Sequence, residues 1–162
     1  MSRAPVKLAT LAYVRRGDQT LMIRRDKRPD DPHFGKWNGL GGKFEPGESP
    51  EACMRREVLE ESGLEVVRAD LKGFLTWPAF DGTHDWYAFC FVVTETRGEL
   101  HPDPAEGSLH WVPTADVPTL ALWEGDRVFL PWLDRPGTFS ATFRYLDGRL
   151  VDHEATFYPP DA

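Results

Sequence analysis

The residues best suited to chemistry lie between Gly41 and Leu64, in the stretch GGKFEPGESPEACMRREVLEESGL. If this stretch is helical, successive side chains turn by about 100°, and three acids fall within one sector. These acids are Glu57, Glu60 and Glu61. Carboxylates at this spacing repel each other, and a hard divalent cation relieves the repulsion because it prefers oxygen ligands. The alternative is a solvated helix face whose charge is offset by the neighbouring arginines.

Local signals place the three acids on a helix. Ser49 supplies a capping hydroxyl, Pro50 suits the first helical position, and Gly63 is a natural helix stop. Together they predict a helix from about Pro50 to Ser62. The apolar side chains predicted to pack on a sheet from this helix are Ala52, Val58 and Leu59.

The rest of the chain is predicted to form strands and one further helical segment. A hairpin turning at Gly17-Asp18 opens the chain, and a second at Asp147-Gly148 closes it. The elements predicted between them are two long strands, a short strand and a helical segment, at residues 64–80, 84–98, 107–113 and 114–133. The expected fold class is α/β, with a mixed sheet packed between helices.

The length, net charge and cysteine content of the chain limit its expected binding partners and cellular location. A chain of 162 residues favours a single domain, 1–162, and 41% hydrophobic residues are enough for a core. The net charge of −7 disfavours binding to nucleic-acid polymers and to anionic membranes. The two cysteines, Cys53 and Cys90, indicate no disulfide framework, and the N-terminal residues lack an apolar secretory segment. We therefore expect a cytoplasmic location.

Nine fixed positions from Gly42 to Leu64 follow the pattern G-x5-E-x7-R-E-V-x-E-E-x-G-L. This pattern matches the Nudix box at every position, so the chain resembles the Nudix hydrolases, which cleave nucleoside diphosphates linked to another moiety. The resemblance implies the Nudix fold, an α/β/α sandwich with a central mixed sheet. Residues 42–64 would form its loop–helix–loop.

The resemblance also implies a site for Mg²⁺, with Mn²⁺ as a possible substitute. The implied metal ligands are the carbonyl of Gly41 and the carboxylates of Glu57, Glu60, Glu61 and Glu106. Glu106 would come from a loop opposite the helix. Its alternative role is that of an ordinary turn acid before a strand.

Catalytic roles follow from the same resemblance. Arg56 is expected to orient Glu57, and Glu48 is expected to anchor the loop at the helix entry. Bound Mg²⁺ would neutralise a polyphosphate and activate a water, whose proton Glu57 would take, with Glu61 as the alternative base. The expected catalytic residues are therefore Glu57, Glu61 and Arg56.

Sequence segments outside the Nudix box indicate which class of substrate the enzyme would use. The segments FGKWNGLGGK and WEGDRVFLPWL, with the closing hairpin, resemble the MutT-type 8-oxo-dGTP diphosphatases. Those enzymes convert oxidised purine triphosphates to the monophosphate and pyrophosphate, and so sanitise the nucleotide pool. The implied partner is a nucleoside triphosphate. The substrate-binding residues that match are Thr10, Asn38, Lys43, Trp123 and Asp126.

Each base-reading match has a structural alternative. Asn38 offers a donor and an acceptor to a purine edge, but Asn followed by Gly is also a common turn. Trp123 would stack on the base, or belong to the core. Asp126 would accept from guanine N–H groups, or donate when protonated, or simply start a helical turn. Thr10 would line the same pocket, and Lys43 would contact phosphate.

Two features keep other substrates open. The mammalian relatives have two adjacent acids after the tryptophan, whereas this chain has Gly125 and then Asp126. Pro78 lies at about the distance from the box where ADP-ribose-cleaving relatives have a proline. The alternatives are therefore hydrolysis of ADP-ribose or of a dinucleoside polyphosphate, and a non-catalytic nucleotide sensor. The complete set of box glutamates argues against the sensor.

Overall fold

The computed structural model describes residues 5–101 and 104–160, and eight strands of this part join in one mixed sheet. The strands are β1 (Val6–Arg16), β2 (Gln19–Arg24), β3 (Trp37–Asn38), β4 (Glu65–Trp77), β5 (Asp85–Arg97), β6 (Ser108–Pro113), β7 (Thr138–Leu146) and β8 (Arg149–Tyr158). The helices are α1 (Pro50–Ser62) and α2 (Glu124–Phe129), with 3₁₀ turns at Thr114–Thr119 and Leu130–Asp134. None of the helices in this part is both long and apolar enough to cross a membrane.

The sheet runs in the order β3-β2-β1-β5-β4-β7-β8, and β6 also pairs with β2. The pairs β1–β5 and β4–β7 are parallel, and the other neighbours are antiparallel. Side chains alternate between two cores: Ala12 of β1 packs with Val58 of α1, and Tyr13 packs with Phe129 of α2. Helices therefore cover both faces of a mixed sheet, which confirms the predicted fold class.

The bounds of α1 agree with the prediction, and Val58 packs on the sheet as predicted, but the prediction is wrong for Ala52 and Leu59. Ala52 is exposed and Leu59 is 51% exposed. The buried side chains of α1 are Cys53, Met54, Val58 and Ser62. Met54, Val58 and Ser62 recur every four residues and form one stripe against the sheet. This stripe borders the acidic sector, so Glu57 and Glu61 are carried to the sheet and not away from it.

The segment predicted as helical at residues 114–133 is three short pieces. Pro118 and Pro131 cannot donate backbone hydrogen bonds, and both fall in 3₁₀ turns. Between the first turn and α2 the backbone is extended at Leu120 and Trp123. Here Trp37 N donates to Ala121 O at 2.9 Å, which ties β3 to the segment that precedes α2.

Candidate active site

The capping residues fix both ends of α1. Ser49 Oγ accepts a hydrogen bond from Ala52 N at 3.0 Å, and Pro50 lies in the first turn. Gly63 ends the helix with a φ of 78°, and its N–H donates to Leu59 O. Because the helix cannot slide or fray freely, its acids keep one direction relative to the sheet.

Arg56 links the acids of α1 to the loop before the helix. Its guanidinium donates to the two Glu48 oxygens at 2.7 and 2.9 Å, and to Glu57 Oε1 at 2.8 Å. It also reaches Glu60 Oε2 at 3.2 Å and Lys43 O at 3.0 Å. The hydrogen bonds from Arg56 lower the pKa of Glu48 to about 2, so this pair stays charged and anchors the loop.

Glu57 and Glu61 lie one turn apart on the side of α1 next to the sheet. Glu61 Oε1 accepts a hydrogen bond from Gly41 N at 2.8 Å. Burial, with added repulsion from Glu57 and Glu106, raises the pKa of Glu61 to about 8. Burial also raises the pKa of Glu57, and the charge of Glu106 adds to that shift. The charge of Glu106 thus acts on both acids, although Glu106 is distant in sequence.

The paired glycines explain how the loop comes so near to these acids. Gly41 has a φ of 139°, and a Cβ on it would lie 2.0 Å from Thr10 O. A Cβ on Gly42 would lie 2.6 Å from the carboxylate carbon of Glu57. Neither position has room for a side chain, and the backbone itself therefore lines the acidic group.

The chemistry of this acidic group fits a hard divalent cation. Its side chains offer carboxylate oxygens, and three of them repel one another, which is an imbalance that a cation such as Mg²⁺ would relieve. Within residues 5–101 and 104–160, no three His, Cys, Asp or Glu side chains already stand together as a metal site. The acids instead accept hydrogen bonds from Arg56 and Gly41, and the Glu60 side chain is 58% exposed.

A second group of polar residues lies between β3 and α2. The bond from Trp37 N to Ala121 O holds Asn38 beside the segment that leads to Trp123. Asp126 N in turn donates to Trp123 O at 3.0 Å. Among the residues that the structure describes, none hydrogen-bonds to the Asn38 carboxamide. Its donor and acceptor are therefore available to a ligand.

The Trp123 ring contacts three other rings, and together they form an aromatic cluster of His33, Phe80, Trp123 and Tyr145. The Trp123 ring centroid lies 5.6 Å from that of His33, 5.0 Å from Phe80 and 5.7 Å from Tyr145, with all three contacts edge-on. Lys36 Nζ lies 4.6 Å from the centroid of the Trp123 ring. Edge-to-face contacts stabilise such groups and fix the ring planes.

Asp126 is the buried acid beside this aromatic cluster. Its exposure is only 6%, and burial raises the pKa of its carboxyl to about 7, although Arg127 and Lys36 oppose the shift. In the described part of the chain, no group donates a hydrogen bond to this carboxyl. A carboxyl with these properties can act as an acceptor or as a donor near neutral pH.

The other residues predicted from the sequence lie in different places. Thr10 is buried with its hydroxyl 3.5 Å from Cys53 Sγ, so its side chain faces α1 and not the aromatic cluster. Lys43 Nζ lies 5.8 Å from the ring centroid of Trp86. Backbone hydrogen bonds thus link the segments that hold Asn38, Trp123 and Asp126, whereas Thr10 contacts α1. Its place in the pocket stays a prediction.

Three members of the aromatic cluster are not among the residues predicted from the sequence: His33, Phe80 and Tyr145. Phe80 precedes Asp81-Gly82, a turn signal, and Asp81 accepts hydrogen bonds from Thr83 N and His84 N. That signal marks an ordered loop that presents Phe80. His33 and Tyr145 meet Trp123 from positions distant in sequence, and no local pattern indicates either contact.

Comparison with known proteins identifies the family to which this fold belongs. A sequence model of the NUDIX domain matches residues 5–133. The chain therefore belongs to the Nudix family. Nudix hydrolases act on nucleotide substrates and generally use divalent metal ions.

The relatives of this chain differ in the activities for which they are named. The chain is 32% identical over 132 residues to the uncharacterised Nudix hydrolase YvcI of Bacillus subtilis (strain 168). The matched region covers 79% of this chain and 80% of that protein. It is 32% identical over 114 residues to the oxidized purine nucleoside triphosphate hydrolase of Danio rerio, covering 68% and 70%. It is 34% identical over 116 residues to the NAD-capped RNA hydrolase NudC of Pseudomonas putida (strain W619), covering 68% of this chain but 37% of that protein. Among solved structures, the MutT protein of Bacillus halodurans superposes with a TM-score of 0.83 at 30% identity, covering 93% of this chain and 97% of that one.

Proposed function

We propose that this protein is a Mg²⁺-dependent nucleoside triphosphate pyrophosphohydrolase. Its substrates would be oxidised purine nucleotides such as 8-oxo-dGTP, and its products the monophosphate and pyrophosphate. Two groups of acidic side chains in unlike surroundings support the proposal. Glu57, Glu61 and Glu106 repel one another at one end, and the single buried Asp126 lies beside the aromatic cluster at the other. A nucleotide has the matching polarity, with a polyanion at one end and a hydrogen-bonding base at the other.

The segment 38–42 joins these two ends. Asn38 belongs to β3 on the base side, whereas Gly41 and Gly42 contact the acids of α1. Three extended residues span on the order of 10 Å, which is comparable to the distance from a purine edge to the phosphates of one nucleotide. The spacing therefore suits a single bound nucleotide.

At the phosphate end, the chain's own residues hold the reacting groups. The ligands for Mg²⁺ or Mn²⁺ would be Gly41, Glu57, Glu60, Glu61 and Glu106. When bound, the cation neutralises the phosphates and makes a water more acidic. Arg56 holds Glu57 Oε1 through a 2.8 Å hydrogen bond, so this carboxylate is positioned to take the proton of the attacking water. Glu61 is the alternative base, and Lys43 would contact phosphate.

At the base end, the free polar groups would read the purine edge. The Asn38 amide offers one donor group and one acceptor, and the Asp126 carboxyl offers an acceptor or a donor according to its protonation. Trp123 would stack on the base, because its indole plane is fixed by its neighbours in the aromatic cluster.

The relatives support this substrate but also name a rival. The protein of Danio rerio is an oxidized purine nucleoside triphosphate hydrolase and matches most of the present chain. NudC, which matches over 37% of its own length, is an NAD-capped RNA hydrolase. Removal of oxidised triphosphates would keep them out of newly made DNA, so the proposed biological role is nucleotide-pool sanitation in the cytoplasm.

A substrate panel tests the proposal. The protein, with Mg²⁺, is incubated separately with 8-oxo-dGTP, dGTP, ADP-ribose, NAD and a dinucleoside polyphosphate, and products are separated by ion exchange. We expect the highest kcat/KM on 8-oxo-dGTP, with the monophosphate and pyrophosphate as products. A higher kcat/KM on ADP-ribose or NAD would instead assign the site to the rival substrate class.

A further inference from the structure

The hairpin β7–β8 lies beyond residues 5–133, which match the NUDIX domain, yet it contacts the base end of the site. Tyr145 Oη accepts a hydrogen bond from Gly125 N at 2.7 Å. The Tyr145 ring lies 5.3 Å from Phe80 and 5.7 Å from Trp123, measured between centroids. Arg149, from the same hairpin, donates to Glu124 Oε1 at 2.6 Å. The hairpin therefore holds the start of α2 from outside the family domain.

Tyr145 leaves no room for a side chain at position 125. A Cβ on Gly125 would lie 2.8 Å from Tyr145 Oη and 2.9 Å from Phe143 Cδ1. The phenol thus occupies the space that a side chain next to Asp126 would need. The hairpin thus brings a phenol hydroxyl to the backbone N–H of Gly125, the residue that precedes the buried Asp126.

The hydroxyl of Tyr145 has a proton left to donate. Its oxygen accepts from Gly125 N, and within the described part of the chain no acceptor takes its own hydrogen. Burial, with the charge of Asp126, raises the pKa of Tyr145 to about 12, so the phenol stays protonated at neutral pH. Unlike a carboxyl, this group cannot exchange donor for acceptor by titrating there.

We propose that Tyr145 is a specificity-determining residue that donates a hydrogen bond to the purine edge beside Asp126. This inference rests on the proposed function. A guanine-type edge presents a carbonyl acceptor at position 6 next to an N–H donor, and so fits a phenol donor beside a carboxyl acceptor. An adenine-type edge presents an amino donor at position 6, which would face the phenol proton. The site therefore favours 6-oxo purines over 6-amino purines.

The test compares Tyr145→Phe with Tyr158→Phe. The first removes one hydroxyl and keeps the ring in the aromatic cluster, and the second removes the hydroxyl of an exposed tyrosine elsewhere on the hairpin. For each variant, kcat and KM are measured on 8-oxo-dGTP, dGTP and the adenine counterpart 2-hydroxy-dATP. We expect Tyr145→Phe to raise KM for both guanine-type substrates about 10-fold, with kcat within twofold and 2-hydroxy-dATP unaffected. Tyr158→Phe should match the wild type.

Two further outcomes distinguish failure of the Tyr145 proposal from failure of the proposed function. If Tyr145→Phe lowers kcat/KM equally on all three substrates, or changes none of them, the specificity role is overturned while the proposed function stands. If the wild-type protein hydrolyses none of the three, both proposals fall together. Calorimetric binding of 8-oxo-dGMP and dAMP without metal gives an independent readout, and here too Tyr145→Phe should weaken only the guanine-type ligand.

Discussion

Trp123 Nε1 donates a hydrogen bond to His33 Nδ1 at 2.8 Å. An indole N–H can only donate, so Nδ1 must be the acceptor, and His33 is neutral with its proton on Nε2. The His33 ring also stacks on Phe80, with centroids 6.2 Å apart and planes 10° from parallel. His33 therefore couples the direction of the Trp123 ring to a protonation state.

This relationship predicts a loss of stability at acid pH. Burial, with the charges of Arg25 and Lys36, lowers the pKa of His33 in the folded protein, and Asp31 opposes the shift. In the unfolded chain the pKa of a histidine is about 6.5. As pH falls through that value, the unfolded state takes up a proton first. The contribution of His33 to stability is thus present above about pH 6.5 and is lost below it.

The measurement is urea unfolding at pH 7.5 and pH 5.5. We expect the free energy of unfolding to fall less for His33→Phe than for the wild type, because phenylalanine keeps a ring but has no proton to gain. His33→Asn keeps an acceptor near the position of Nδ1 and should preserve the Trp123 fluorescence of the wild type. Identical pH dependence in wild type and His33→Phe would contradict the role given to this pair.

Asp126 predicts the opposite dependence on pH. Its pKa is raised to about 7 in the folded state, against about 3.9 for an unfolded aspartate. Between these values only the folded state keeps the proton, so the contribution of Asp126 to stability falls as pH rises and levels off above about pH 7. Asp126→Asn should raise the free energy of unfolding at pH 8.5 by on the order of 2–4 kcal/mol, with little difference near pH 4. Asp116→Asn, at an exposed acid, is the control and should show no such gain.

Much of this fold follows from local signals in the sequence. Ser49, Pro50 and Gly63 define α1 because caps act within one turn, and Asp147-Gly148 defines the closing hairpin for the same reason. The placement of Ala52 and Leu59 could not be predicted, because the hydrophobic stripe of α1 borders its acids instead of opposing them.

The candidate site likewise has one part that follows from local signals in the sequence and one part that does not. The acids of α1 follow from their spacing along one helix, since a local period places them on one side. The contacts of His33 and Tyr145 with Trp123 depend on chain segments that meet only after the sheet has formed. Such contacts follow from tertiary packing, which no local pattern in a single sequence records.

The acidic end of the site predicts large losses of turnover. Glu57→Gln and Glu61→Gln should each lower kcat by at least about 10²-fold, which is the usual scale for a lost catalytic group. Both variants should remain folded, because glutamine keeps the size of the side chain and an oxygen that can accept the hydrogen bond from Arg56 or from Gly41. Glu51→Gln, at an exposed acid in the first turn of the same helix, is the matched control. Near wild-type turnover in either test variant would exclude that residue from the catalytic group.

Metal removal gives an independent prediction. Exhaustive treatment with EDTA should abolish hydrolysis, and adding Mg²⁺ or Mn²⁺ should restore it, because the implied ligands are carboxylate and carbonyl oxygens. Ca²⁺ provides the comparison, since its larger and looser coordination fits the same oxygens with different geometry. Hydrolysis that continues at full rate in EDTA would contradict metal dependence.

The most direct test of the account is competition between 8-oxo-dGTP and dGTP in one reaction, because their rates of loss give the ratio of kcat/KM without separate assays. For the wild type we predict faster loss of 8-oxo-dGTP. For Asn38→Ala and Asp126→Ala we predict a fall of about 10- to 100-fold in kcat/KM for 8-oxo-dGTP, roughly 1.4 to 2.8 kcal/mol, with less effect on dGTP. Asp116→Ala should behave as the wild type. Equal loss of the two nucleotides by the wild type, or an unchanged ratio in both pocket variants, would contradict the claim that this site reads an oxidised purine.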